Sequence, residues 1–116
     1  MNYKYILYAI IMFIIGQALA WFQFNGPILW SWARQYKYII LVIFGLPVSW
    51  FFLEGTDSAV NGFGGQLWPS RFLSFVSGIF VFTILTYFFK SEPITTKTIV
   101  CLALSFAIIC VQVFWK

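Results

Sequence analysis

The sequence predicts an all-α membrane protein with four transmembrane helices in a compact bundle. Three observations carry this. Hydrophobic residues make up 62% of the 116-residue chain, against roughly 45–50% in soluble domains. Charged residues are 9%, where roughly 25% is ordinary. The apolar residues also fall in four runs, each near the ~20 residues that cross a ~30 Å hydrocarbon core. A soluble domain this small needs polar residues to cover its surface, and seven basic with three acidic side chains do not suffice. Mean hydropathy is +0.91. Disorder, collagen, coiled coil and a soluble enzyme are excluded. The reading is one domain over residues 1–116, with spans at about 5–24, 38–54, 71–89 and 96–114.

The first span carries Ile6, Leu7, Ile10, Ile11, Met12, Phe13, Ile14 and Ile15 without a charge. Each Leu, Ile or Phe favours insertion by roughly 0.3–0.6 kcal/mol, so the single Gln17 does not prevent it. Lys4 and the Ala18-Leu19-Ala20 pattern imitate a cleaved signal peptide, but the run is long enough to span and is read as a retained helix. Asn25-Gly26-Pro27 reads as a break. Trp30, Trp32, Tyr36 and Tyr38, mixed with Arg34 and Lys37, mark a headgroup belt.

The second span is interrupted by Gly45 and Pro47, the latter lacking a backbone donor, and Glu54 is read as its end. Gly55 to Ser70 holds Gly55, Gly62, Gly64, Gly65 and Pro69 and is read as a structured turn region. The third span closes at Lys90, before the Lys90-Ser91-Glu92-Pro93 turn. Trp115 and Lys116 anchor the end of the fourth.

Function is less legible. There is no His, which removes His metal ligands and the usual nucleophile–base pairs. No carboxylate cluster replaces them, so the reading is no enzyme, no metal and no cofactor. The basic residues are scattered singly, unlike a nucleic-acid face, so the expected partner is the lipid bilayer and not nucleic acid. Polar groups within a bilayer are expensive and each asks for a reason. The candidate ligand-binding residues are therefore Gln17, Trp21, Glu54, Arg71 and Ser74. Glu54 and Arg71, flanking the glycine-rich stretch, are expected to be neighbours; the plainer alternative is two independent interfacial charges. For Gln17 the alternative is interhelical glue. Gly16, Ala20, Gly78, Ala103, Ala107 and Cys110 are small residues suited to helix packing or an oligomer contact. On the fourth span Ala103, Ala107 and Cys110 share one face, with Cys101, Ser105 and Gln112 opposite.

Four short spans, a basic-aromatic first loop and Glu92-Pro93-Ile94-Thr95 leading into the last helix resemble the drug/metabolite transporter superfamily. Its four-helix members are the small multidrug resistance proteins. Ser49-Trp50-Phe51-Phe52-Leu53-Glu54, the Asn61-Gly62 turn and the Phe114-Trp115-Lys116 end resemble an uncharacterised family of that superfamily. The resemblance implies a bacterial inner-membrane protein, a homodimer, that binds or moves a small-molecule substrate. The first span departs from the small multidrug resistance pattern in having Gln17 and no glutamate. The competing reading is a non-transporting subunit or scaffold within a larger membrane complex.

Overall fold

The computed structural model describes residues 2–115. It contains α1 (Tyr3–Leu29), the short α2 (Ser31–Gln35), α3 (Lys37–Gly62), α4 (Leu67–Lys90) and α5 (Thr96–Phe114). The four long helices are each long and apolar enough to cross a membrane, and the described residues contain no strand. The chain is an all-α, four-helix integral membrane protein. Lys116, read as part of the closing anchor, lies outside the described residues.

Three helices outrun the spans read from hydrophobicity. α1 continues to Leu29 and not to a break at Asn25-Gly26-Pro27. Proline disfavours helix in the residue before it chiefly through that residue's Cβ and N–H; Gly26 has no Cβ, so the helix passes. It ends at Trp30, whose extended backbone still donates its N–H to the Gly26 carbonyl at 2.8 Å. α4 begins at Leu67 and not Arg71, because Pro69 falls in the first turn, where backbone N–H groups lack helical partners anyway.

The largest difference lies in the second span. α3 does not stop at Glu54 but runs on to Gly62, so Asn61-Gly62 is the last of the helix and not a turn, and α3 remains helical on both sides of Pro47. The turn region shrinks to residues 63–66, where Gly64 and Gly65 take φ of +71° and +89°, conformations that suit glycine. Gly55 and Gly62 are helical for another reason, which is packing. A Cβ on Gly55 would lie 2.9 Å from two ring carbons of Phe13, and one on Gly62 would lie 2.7 Å from Ile6 Cγ1. Gly55, Ser58, Ala59 and Gly62 are all buried. Their four-residue spacings put small residues on one face, where another helix approaches closely.

That face receives α1. Phe13 and Ala9 are fully buried with Ala59, and Phe52, Phe63 and Leu73 close over them. Ser58 donates its hydroxyl to the Tyr5 carbonyl at 2.6 Å. The Asn2 N–H bonds the Gly62 carbonyl at 2.8 Å, so the start of α1 meets the end of α3 and the two run antiparallel. On its other side α1 meets α4 through Gln17–Ser74 and Trp21–Thr86. The pairs advance together along both helices, so α1 and α4 run parallel. Among the helices α5 packs on α4 alone. The order α3–α1–α4–α5 gives a flattened bundle of 48 × 35 × 18 Å.

Exposure on α5 follows its two faces only in part. Ser105 is the buried residue, its hydroxyl bonded to the Cys101 carbonyl at 2.9 Å. Gln112 and Cys110 are half-buried, and Ala103 and Ala107 are exposed. The faces read from the sequence are not cleanly separated: Cys101 is exposed, and Ala107 borders a hollow beside Phe72 of α4.

Candidate functional site

Gln17 lies on the α4 side of α1, one turn beyond Phe13. Its Nε2 donates to the Ser74 carbonyl at 3.2 Å. Gly78 makes room for it: a Cβ there would lie 2.8 Å from Nε2 and 2.9 Å from Cδ. The amide nitrogen is thus engaged against bare α4 backbone, while Oε1 takes no hydrogen bond from the described residues. No buried side-chain polar atom among them lacks a partner, so Oε1 is open to the space beside it.

That space is a hollow of about 390 Å³ between α1, α3 and α4. Gln17, Phe52, Thr56, Ser70, Arg71 and Ser74 line it. Ser70 and Ser74 are 2% and 9% exposed, respectively. Neither hydroxyl has a hydrogen-bond partner among the described residues, and what exposure they retain opens here. The lining contains one formal charge, Arg71, and no carboxylate. Three of the five residues singled out in the sequence, Gln17, Arg71 and Ser74, therefore meet at one place.

Trp21 lies one turn further on, beside a second hollow of about 310 Å³ that shares Gln17 with the first. Its indole Nε1 donates to Thr86 Oγ1 at 3.1 Å in a buried bond. Its ring belongs to an aromatic cluster with Phe22, Trp30 and Phe89, at centroid separations of 5.2–6.3 Å. The cluster joins the end of α1 to the end of α4. Thr86→Val and Trp21→Phe should each lower stability in detergent, and a double-mutant cycle should return about 0.6–2 kcal/mol of coupling, the range of interhelical hydrogen bonds in membranes. Simple additivity would mean that the bond contributes nothing.

Glu54 is placed elsewhere. It is half-buried in a separate groove of about 590 Å³, with Asp57 and Asn61 from α3 and Lys4, Tyr5 and Tyr8 from α1. The expected Glu54–Arg71 neighbourhood is not formed. Among the described residues the ion pair is Lys90–Glu92, at 3.5 Å. The reason is the length of α3: eight further residues place Glu54 about 12 Å inside the helix end, not at the loop. Sequence reasoning missed this groove because it assigned Asp57, Ser58 and Asn61 to a turn. Their spacing with Glu54 is that of one helical face.

The packing residues divide between helix contacts. Gly16 faces α3, where a Cβ would lie 3.1 Å from Phe51 Cβ. Ala20 is buried, and Gly78 admits Gln17. Comparison with known proteins adds no family: no family model, no curated protein and no solved structure matches this chain.

Proposed function

We propose that this is a membrane protein of drug/metabolite-transporter type that binds a small molecule in the hollow around Gln17 and moves it across the bilayer. The carrying observation is the convergence of polar groups from three helices on one open volume of about 390 Å³, within the size range of small-molecule sites. Polar side chains at membrane depth mark substrate pathways more often than the rest of a span does. The three acids lie outside this hollow: Glu54 and Asp57 line the other groove and Glu92 lies in the α4–α5 connection. Passage is thus not coupled through a carboxylate at Gln17. We assign the protein to a bacterial inner membrane and to a homodimer, on the resemblance named above. The exposed Ala103–Ala107 face of α5 is where a second subunit would pack. That same face favours the competing reading, a subunit seated in a larger membrane complex.

Thermal unfolding of the purified chain in neutral detergent, against small anionic, cationic and neutral solutes, tests the binding. At least one class should stabilise it, by about 2.7 kcal/mol at a hundredfold excess over Kd. Gln17→Leu should abolish the effect. Stabilisation by no class, or stabilisation that survives Gln17→Leu, rejects this site.

A further inference from the structure

We infer that the hollow between α1, α3 and α4 recognises an anionic group, a phosphate or carboxylate, carried by a lipid headgroup or by a soluble molecule. The inference rests on the proposed binding role of this hollow and adds the chemical class of its ligand. Arg71 supplies the charge, and no carboxylate in the lining neutralises it. Glu54 and Asp57, the acids nearest in sequence, line a different groove. A guanidinium offers a planar fork of donors that matches phosphate and carboxylate oxygens.

The second observation is independent of the charge. Ser70 and Ser74 sit one turn apart on α4, 2% and 9% exposed, and both line the hollow; since no buried side-chain polar atom among the described residues lacks a partner, their hydroxyls, unbonded to the described residues, keep access to it. A serine in a helix commonly bonds the carbonyl one turn back, as Ser105 and Thr83 do in this molecule. Ser70 and Ser74 do not, so both hydroxyl protons are available to the hollow. Both hydroxyls are open to the hollow, and an anionic oxygen is an acceptor that both can bond together with Arg71. The Gln17 amide contributes its open carbonyl, which suits a protonated oxygen or hydroxyl on the same ligand. A cationic ligand would face Arg71 with nothing in the lining to offset it.

The test uses the whole purified chain in neutral detergent and reads bound species by native mass spectrometry. Phosphatidylglycerol and phosphatidylcholine are compared as probes, and inorganic phosphate is then added as a competitor. Retention of phosphatidylglycerol should exceed that of phosphatidylcholine by about tenfold, the scale of one hydrogen bond to a charged group. Arg71→Gln should remove the preference, and Ser70→Ala/Ser74→Ala should reduce it severalfold with Arg71 still present. Arg34→Gln, which alters a basic residue outside the hollow, should keep it. Displacement by inorganic phosphate identifies a soluble anion as a competent ligand; resistance to it identifies the headgroup. Equal retention of both lipids with no effect of phosphate overturns the inference, as does a preference unchanged in Arg71→Gln or in the double serine variant. If a neutral or cationic solute meanwhile stabilises the chain through Gln17, the binding role stands and the anionic assignment alone fails.

Discussion

Phe13→Ala should cost about 3–5 kcal/mol, the range for removing a fully buried aromatic side chain. Phe13 is the largest side chain with no exposure, and it lies between Ala9 and Ala59 at the centre of the α1–α3 contact. Lipid tails are as apolar as a phenyl ring, so the loss is mainly of close contacts between helices. The substitution also creates its own control. A Cβ on Gly55 would stand 2.9 Å from the Phe13 ring, so Gly55→Ala alone should overpack the contact and cost about 1–3 kcal/mol. Combined with Phe13→Ala, the added methyl enters the vacated space. The double variant should lose less than the sum of the two, measured by detergent-phase unfolding of the helical signal. Additive losses would show that Gly55 and Phe13 do not pack together.

Gly62→Ala should be the most damaging change of a single methyl. The added carbon would lie 2.7 Å from Ile6 Cγ1, but also 3.1 Å from the Ile6 nitrogen and 3.2 Å from the Asn2 carbonyl oxygen. A side chain turns aside; a backbone does not. The substitution also strains the Asn2 N–H bond to the Gly62 carbonyl, 2.8 Å long, which ties the start of α1 to the end of α3. The expected loss is about 1–3 kcal/mol, and Ile6→Ala should not restore it. Full rescue by Ile6→Ala would mean that only the side-chain contact matters and that the backbones are not in close approach.

These two sites show where the sequence is legible. Four apolar runs specify four helices, because nothing but a helix satisfies the backbone of a single chain segment in lipid. The last run was read at 96–114 and α5 occupies Thr96–Phe114. The middle of the chain misleads because glycine has two uses. Gly64 and Gly65 turn the chain at positive φ, whereas Gly55 and Gly62 let helices touch, and composition alone does not separate the two. The discriminating signal was spacing: Gly55 to Ala59 and Ser58 to Gly62 repeat every four residues, and Gly64-Gly65 does not. Once α3 runs eight residues further, to Gly62, Glu54 moves onto a helical face with Asp57 and Asn61 and away from Arg71. The grouping of Gln17, Arg71 and Ser74 was half legible. Each was recognisable as a polar residue in or beside a span, but their meeting depends on α1 and α4 running parallel, which no local pattern states.

The proposed transport role requires that water and a small solute reach the hollow around Gln17 from both sides of the membrane. Ser74→Cys, in a chain whose Cys101 and Cys110 are replaced by alanine, reports on it when sealed vesicles meet a membrane-impermeant maleimide on one face and then on the other. Leu46→Cys on α3, 75% exposed in the single chain and surrounded by apolar residues, supplies the lipid-facing control. Ser74→Cys should react from either side, well above Leu46→Cys, and a stabilising solute should slow the reaction. Labelling from neither side above the Leu46→Cys level would contradict the transport role, and labelling from one side alone would leave a binding site without passage.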